Sequence, residues 1–298
     1  MPILSRHAKG LIITALGVLI ISPDGLLTRL IHVDHWTLIF WRALFLSFGM
    51  WIMANLIHPR NTWQKYLSMG RVGLAMGILY AMGTVSFITA ITHTSVANTL
   101  IILSTTPLFA ALIGWVTLRE PVNTRTWCAI TLVCVGVFVI SSDSDNQASS
   151  IFGDIAAMVG AFFLAAGFTV VRRFPGITIF PIISTSGFIT ALLVLPLAQP
   201  LAVTQADMGY LVLMGVYMLP VGTALMYLGP KYIPASEVGL MMLLESILGP
   251  VWVWLALGEQ PGVRTLIGGA IILSTLAINA TWALKTASRQ KIHARSSG

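Results

Sequence analysis

The chain has 298 residues, of which 56% are hydrophobic and only 9% are charged, whereas an ordinary soluble domain has roughly 25% charged residues. With a mean hydropathy of +0.87, one or two soluble domains of this length could not bury their apolar area. We therefore expect an all-α membrane protein with lipid as its main solvent. The two cysteines, Cys128 and Cys134, lie in one apolar run, and their spacing predicts neither a disulfide framework nor a metal site.

Ten apolar runs are long enough, at about 1.5 Å per residue, to cross a hydrocarbon core about 30 Å thick. The runs cover residues 8–30, 35–57, 71–91, 95–118, 124–141, 151–172, 177–197, 207–228, 234–257 and 263–284. The first run follows basic residues, as a signal peptide does, but it continues past Ser22 without a small-residue cleavage site. We expect it to be retained as the first of ten transmembrane helices.

The basic residues predict the orientation, because cytoplasmic connections of membrane proteins collect lysine and arginine. If the N-terminus is inside, all but Arg29, Arg42 and Arg264 of the 17 lysines and arginines fall in cytoplasmic segments. We therefore expect both termini to be cytoplasmic, in a multi-pass protein of the cell inner membrane. The net charge of +7 is then an orientation signal, and no nucleic-acid partner is predicted.

The two halves of the chain match each other when one is shifted along the other. A shift of 139 residues aligns Glu120 with Glu259 within the shared pattern W-x-x-L-x-E-x(4)-R-T, and a shift of 143 residues aligns Arg29 with Arg172. Five spans separate the copies, so the copies have opposite orientations in the membrane. We expect a 5+5 inverted-topology repeat, with one half at 1–145 and the other at 146–298.

Related motifs occur in the fourth helix of each half. Helix 4 contains T-S-V-A-N-x(7)-T-P-L-F-A-A-L and L-R-E-P, and helix 9 contains A-S-x-V-x(6)-E-S and L-G-E-Q-P. In these features the sequence resembles the drug/metabolite transporter superfamily, EamA-like, and within it the YddG-type aromatic amino-acid exporters. The resemblance implies efflux of hydrophobic amino acids from the cytoplasm. Glu245 is followed by Ser246 where the family usually has proline, so the sequence does not decide how helix 9 is kinked.

Catalytic patterns are absent from the sequence. It contains no G-x-x-x-x-G-K-[ST] phosphate loop, no H-E-x-x-H and no G-x-S-x-G, and it leaves no room for a soluble ATPase domain. We expect no enzyme activity, no catalytic residue, no metal, no cofactor and no ATPase subunit. The expected partners are a small-molecule substrate and membrane lipid. A membrane-embedded enzyme or a non-transporting subunit is the rival class.

Ionisable side chains inside the membrane are costly, at roughly 2.5–3.5 kcal/mol each at a helix centre, so each needs a partner or a function. Glu245 lies near the middle of helix 9, where it either contacts substrate or a proton, or is a neutral acid bonded to a neighbouring hydroxyl group. Asp24 lies between Pro23 and a glycine in helix 1, as either a satisfied hinge residue or a coupling site. Arg42 in helix 2 pairs either with a carboxylate of the protein or with one of the substrate.

Aromatic and hydroxyl side chains predict the character of the substrate site. Tyrosine hydroxyl groups in hydrocarbon need partners, so Tyr80 and Tyr217 are expected to face a cavity, with Thr84 one turn from Tyr80. Trp41 and Phe168 also lie well inside their helices, although core packing is the commoner role for phenylalanine. A hydrophobic cavity with a few polar groups suits an aromatic or branched amino acid.

The prolines predict where the helices bend. We expect Pro23, Pro107, Pro220 and Pro250 to act as hinges for alternating access to a central cavity lined by helices 1, 3, 4, 6, 8 and 9. A carrier of cationic drugs or nucleotide sugars on the same scaffold is the alternative of the same class.

Overall fold

A computed structural model describes residues 6–57, 59–118, 124–142, 150–174, 178–228, 232 and 235–296. Across these residues the fold is all-helical, with fourteen α-helices and one π-helical segment and without strands. The α-helices are α1 (Arg6–Ile21), α2 (Asp24–Leu30), α3 (His35–Ile57), α4 (Thr62–Leu67), α5 (Gly70–His93), α6 (Val96–Leu103), α7 (Thr106–Leu118), α8 (Thr124–Ser141), α9 (Ile151–Arg173), α10 (Ile179–Val194), α11 (Gln205–Val212), α12 (Leu219–Leu228), α13 (Ala235–Leu257) and α14 (Val263–Ser296).

Helix occupies each of the ten apolar runs of the sequence. Among the described residues, five helical stretches are long and apolar enough to cross a membrane, and five further apolar helices are shorter. The five long stretches are Ala8–Leu30, His35–Ile57, Gly70–His93, Val96–Thr117 and Gln205–Met226. The chain is therefore a multi-span membrane protein.

Two of the long stretches are interrupted beside a proline. The first divides into α1 and α2 before Pro23, and the fourth divides into α6 and α7 before Pro107. Proline has no N–H group, so it leaves a carbonyl oxygen of the preceding turn without its usual partner. Ser22 Oγ donates to the Leu19 carbonyl oxygen at 2.9 Å, and Thr106 Oγ1 donates likewise one turn before Pro107. A hydroxyl side chain thus stabilises each break inside the bundle.

The other two candidate hinge prolines have different settings. Pro220 lies two residues after the π-helical segment Leu213–Met218, in the first turn of α12. Pro250 lies inside α13, which continues without interruption from Ala235 to Leu257. The role of Pro250 as a hinge stays a prediction.

Small residues allow close contact between helices of the two halves. A Cβ atom at Gly17 in α1 would lie 2.9 Å from the Gly222 carbonyl oxygen of α12. A Cβ atom at Gly136 in α8 would lie 3.0 Å from the Gly268 carbonyl oxygen of α14. Close backbone approach replaces the hydrophobic effect as the attraction between helices in lipid, where both surroundings are apolar.

The contact between α3 and α10 is the most polar of these helix pairs. Ser47 Oγ donates to the Ser184 carbonyl oxygen at 2.7 Å, and Ser184 Oγ donates to the Ser47 carbonyl oxygen at 3.0 Å. Gly187 lies beside this pair, where a Cβ atom would be 2.5 Å from the Ala43 carbonyl oxygen. The interface therefore depends on a residue without a side chain.

Five helix connections lie together at one end of the bundle, as their hydrogen bonds and ion pairs indicate. These contacts join His32 to Asp207, Thr37 to Gln199, Arg29 to Thr94 and to Glu259, Thr94 to Asp154, and Arg264 to Ser142. We name this end, formed by 31–34, 94–95, 142, 150, 195–204 and 258–262, the Asp154 end. The described helices that flank these connections therefore meet at this end.

Prediction for the fold. The substitution Gly187→Ala places a methyl group against the Ala43 carbonyl oxygen, and such overpacking costs about 1–3 kcal/mol. We expect the Tm in detergent to fall by several degrees, as roughly 2–4 °C per kcal/mol implies for a chain of this size. The matched control is Gly209→Ala in α11, where no atom lies within 4 Å of the added Cβ. Equal Tm values for the two variants would contradict the close α3–α10 contact.

Candidate functional site

A buried ion pair joins the start of α2 to α3. Arg42 Nη2 lies 2.7 Å from Asp24 Oδ2, and each side chain is only 6% exposed. The break at Pro23 places Asp24 in the first turn of α2, where the positive end of the helix dipole also favours its negative charge. Arg42 therefore pairs with a carboxylate of the protein, which was one of the two roles open to it.

Glu245 of α13 lies close to this pair. The residue as a whole is partly exposed, and its carboxyl group is within range of electrostatic interaction with both Asp24 and Arg42. On α5, the ring of Phe87 lies 5.2 Å from the Arg42 guanidinium carbon, a distance typical of a cation–π contact. We name Asp24, Arg42 and Glu245 the charged cluster.

Two side chains of α13 donate hydrogen bonds to neighbouring segments and fix the helix that carries Glu245. Ser246 Oγ donates to the Leu100 carbonyl oxygen of α6 at 3.1 Å. Trp252 Nε1 donates to Ser22 Oγ at 2.9 Å, so α13 is tied directly to the break between α1 and α2. Ser246, which stands where the expected motif has proline, thus connects α13 to α6 by a hydrogen bond.

The charged cluster has unused hydrogen-bonding capacity. Asp24 Oδ1 and Arg42 Nε are buried and have no hydrogen-bond partner within the described part of the chain. Buried polar atoms of this kind usually find a partner in a folded protein. The Asp24–Arg42 pair therefore retains one unpaired acceptor and one unpaired donor near the Glu245 side chain.

Of the predicted site residues, the structure brings Asp24 and Glu245 together. Tyr80 lies elsewhere in α5, 8% exposed and packed in an apolar cluster with Met50 and Phe180. Thr84, one turn further along, is partly buried. Their assignment to the substrate site stays a prediction.

The remaining predicted residues are placed apart from the charged cluster. Tyr217 in the π-helical segment is 57% exposed. Trp41 stacks on Phe45 and donates from Nε1 to the Pro200 carbonyl oxygen at 3.2 Å, which positions it near the Asp154 end. The side chain of Phe168 lies outside the described residues.

Sequence reasoning missed a second buried polar cluster. Asp154 at the start of α9 accepts a hydrogen bond from Thr94, and Asn98 accepts one from Thr265 of α14. The T-S-V-A-N motif contains Thr94 and Asn98 and was a usable signal, but the partners come from distant helices. Within the described residues, no group of three or more His, Cys, Asp or Glu side chains is arranged to hold a metal ion.

Comparison with known proteins identifies the family. The model of the EamA-like transporter family matches residues 8–142 and again residues 151–281, which together make up most of the chain. The chain belongs to the EamA-like transporter family. For this transporter, a membrane-embedded charged cluster is a natural candidate for contact with a small-molecule substrate.

Individual relatives of this EamA-like transporter agree with the family. It is 24% identical over 202 residues to a protein of Methanothermobacter thermautotrophicus (strain Delta H) with the name "Uncharacterized transporter"; the match covers 64% of this chain and 59% of that protein. It is 25% identical over 200 residues to "Uncharacterized transporter YwfM" of Bacillus subtilis (strain 168), with 64% and 67% covered. The match therefore spans about three fifths of the length of the archaeal relative.

A solved structure shares the fold. One crystal structure, titled "Crystal structure of protein", superposes with a TM-score of 0.64 at 15% sequence identity. The superposition covers 94% of this chain and 99% of that chain. The same arrangement of helices is thus compatible with widely diverged sequences.

Prediction for the charged cluster. The substitution Asp24→Asn leaves the buried Arg42 guanidinium without a countercharge, which costs about 3–5 kcal/mol. We expect a fall in Tm of roughly 10 °C in detergent. The matched control is Asp34→Asn, an exposed residue that accepts bonds from the N–H groups of Trp36 and Thr37, a role that asparagine can also fill. Similar Tm values for both variants would contradict the structural role of the ion pair.

Proposed function

We propose that this protein exports small metabolites from the cytoplasm, and that hydrophobic or aromatic amino acids are its substrates. Substrate would bind in a central cavity between two inverted five-helix halves and leave by alternating access. Membership of the EamA-like family gives a membrane transporter, and the substrate and direction of transport go beyond it.

The charged cluster is the observation that carries the proposal. An amino acid has an ammonium group and a carboxylate group on neighbouring atoms, and both must be paired when the molecule leaves water. Glu245 and the free Asp24 Oδ1 can accept hydrogen bonds from the ammonium group, while the free Arg42 Nε can donate to the carboxylate. The two charges of the substrate are thus matched within one site.

Apolar surface beside the cluster favours a hydrophobic side chain. Phe87 lies against Arg42 and packs against the apolar cluster that Val96, Leu100 and Val253 form. A substrate side chain beside this surface would be removed from water, which contributes roughly 25 cal/mol for each Å² that it buries. Sugars and phosphates have no comparable apolar area to bury.

Several features support two halves of opposite orientation, at 1–145 and 146–298. The family model matches each half separately, and helix pairs recur in equivalent places. Gly17 of α1 contacts Gly222 of α12, and its counterpart Gly160 of α9 lies beside Ser86 of α5. Ser47 and Ser184 exchange reciprocal hydrogen bonds between α3 and α10, as expected for contacts across a two-fold axis.

The distribution of basic residues supports the orientation. Four basic residues, Lys285, Arg289, Lys291 and Arg295, lie in the last part of α14, whose first residues are at the Asp154 end, and cytoplasmic segments collect such residues. We propose that both termini are cytoplasmic and that the Asp154 end faces outward from the inner membrane.

The charges of the site also support a second candidate substrate class, small cationic drugs. One arginine faces two carboxyl groups, so the cluster can take up an additional cation or a proton. A carrier of small cationic drugs would use this same feature, whereas a nucleotide-sugar carrier would need further basic groups near the site.

Prediction for substrate. Liposomes that contain the purified protein and labelled phenylalanine should lose the label at least about tenfold faster than protein-free liposomes, since an uncatalysed zwitterion crosses hydrocarbon slowly. Unlabelled phenylalanine or leucine should compete, and tetraalkylammonium ions should not. Equal efflux with and without protein would contradict amino-acid export, and competition by tetraalkylammonium alone would favour the cation carrier.

The variant Glu245→Gln tests the role of the site in the same assay. We expect about tenfold slower efflux, because a charge-assisted hydrogen bond to the ammonium group is replaced by a weaker neutral one. The matched control is Glu237→Gln at the start of the same helix, which should leave the rate unchanged. An unchanged rate and pH profile for Glu245→Gln would exclude this carboxyl group from substrate binding and from proton coupling.

A further inference from the structure

Asp154 is the centre of a buried polar layer at the Asp154 end. Its side chain belongs to the first turn of α9 and is 2% exposed. Its Oδ1 atom accepts hydrogen bonds from Thr94 Oγ1 at 2.9 Å and from Asn98 Nδ2 at 3.4 Å. Its Oδ2 atom is buried and has no partner among the described residues. The corner between α5 and α6 is thereby fixed to the start of α9.

Asn98 extends this layer to α14. Thr265 Oγ1 donates to Asn98 Oδ1 at 2.7 Å, and both side chains are fully buried. The asparagine therefore bridges α9 and α14 through its two polar atoms. When the helices separate, water can replace these hydrogen bonds between side chains. Each bond therefore adds only a small net free energy to the arrangement in which the helices are in contact.

Arg29 of α2 lies at the partly exposed edge of this polar layer. Its Nη2 atom donates to the Thr94 carbonyl oxygen at 2.8 Å and lies 3.6 Å from Glu259 Oε1. Both side chains of this ion pair are about one quarter exposed, so the pair is accessible from the water at this end. In the sequence repeat, Arg29 aligns with Arg172 and Glu259 aligns with Glu120.

The layer lies between the charged cluster and the water at the Asp154 end. Asp24 and Arg29 are on the same short helix, five residues or about 7.5 Å apart. Glu245 and Glu259 lie respectively within α13 and just after it. A molecule bound at the cluster would have to pass this layer to leave at the Asp154 end.

Gly153 allows the start of α9 to lie in close contact with Thr94. A Cβ atom at this position would lie 2.7 Å from Thr94 Cβ and 2.8 Å from the Thr94 backbone nitrogen. The start of α9 thus rests directly on the α5–α6 corner. A side chain on residue 153 would require the two backbones to separate.

We propose that Arg29, Thr94, Asn98, Asp154, Glu259 and Thr265 form the gate through which substrate is released. In the described structure the gate is closed, and its parts belong to helices of both halves. The inference rests on the proposed function, because a gate presupposes passage through the bundle. It goes further by assigning the barrier to one layer of named hydrogen bonds.

A reversible cross-link tests the gate directly. Arg29→Cys and Glu259→Cys, introduced together after Cys128→Ser and Cys134→Ser, are joined by a short reducible bifunctional reagent. We expect efflux to fall at least about tenfold on cross-linking and to recover when the link is reduced. The matched control pair is Ser142→Cys with Arg264→Cys, which links α8 to α14 at the same end without crossing the layer. Full efflux through the Arg29–Glu259 cross-linked protein would overturn the proposal.

A second measurement needs no substrate. Ala97→Cys in the same cysteine-free background places a thiol in the layer at a position only 5% exposed. Asp154→Ala removes the central acceptor and Gly153→Ala forces the backbones apart. Each variant should speed the reaction of this thiol with a membrane-impermeant maleimide by about tenfold, whereas Gly209→Ala should not.

The two measurements separate the gate from the substrate. Unchanged labelling in Gly153→Ala protein that remains folded would overturn the gate. If labelling responds as expected but labelled phenylalanine does not leave the liposomes, the gate stands and the proposed substrate is wrong.

Discussion

A pair of opposite charges held inside the apolar bundle is the constraint on which the rest of the structure depends. Arg42 and Asp24 would each be costly alone in hydrocarbon, and their 2.7 Å contact is what makes them tolerable there. The contact requires that α2 begin beside α3, and this in turn requires a break after α1. Pro23 supplies the break, Ser22 satisfies the carbonyl group that the break exposes, and Trp252 attaches α13 to that serine.

The same short helix connects the two polar regions of the molecule. Asp24 belongs to the charged cluster and Arg29 to the layer at the Asp154 end, and both are part of the seven-residue helix α2. A displacement of α2 that follows a change of partner at Asp24 therefore also moves Arg29 relative to Thr94 and Glu259. Binding and release would be coupled in this way through one rigid element, provided that substrate binds the two arrangements with different affinity.

The course of the helices could be predicted from the sequence because apolar length alone determines where a chain can cross lipid. The boundaries 35–57 and 124–141 coincide with α3 and α8. The breaks at Pro23 and Pro107 could also be anticipated, since proline removes a backbone donor wherever it occurs in a helix. At Pro250 helix α13 continues from Ala235 to Leu257, and the bend expected there stays a prediction.

The pairing of side chains could be predicted only in part. Arg42 needed an anionic partner, but nothing in the sequence distinguished Asp24 from a substrate carboxylate. Asp154 and Asn98 were missed because a single polar residue near a helix end resembles an ordinary cap. Their importance comes from Thr94 and Thr265, which lie 60 residues before Asp154 and 167 residues after Asn98, and periodicity within one helix carries no information about such distances.

In the proposed function, the charged cluster recognises both charges of an amino acid. The most direct measurement is competition for phenylalanine efflux by phenethylamine, which lacks the carboxylate, and by 3-phenylpropionate, which lacks the ammonium group. Loss of either charged contact should weaken competition at least about tenfold relative to unlabelled phenylalanine. If both analogues compete as well as phenylalanine, binding depends on the aromatic ring alone, and the account of the charged cluster is wrong.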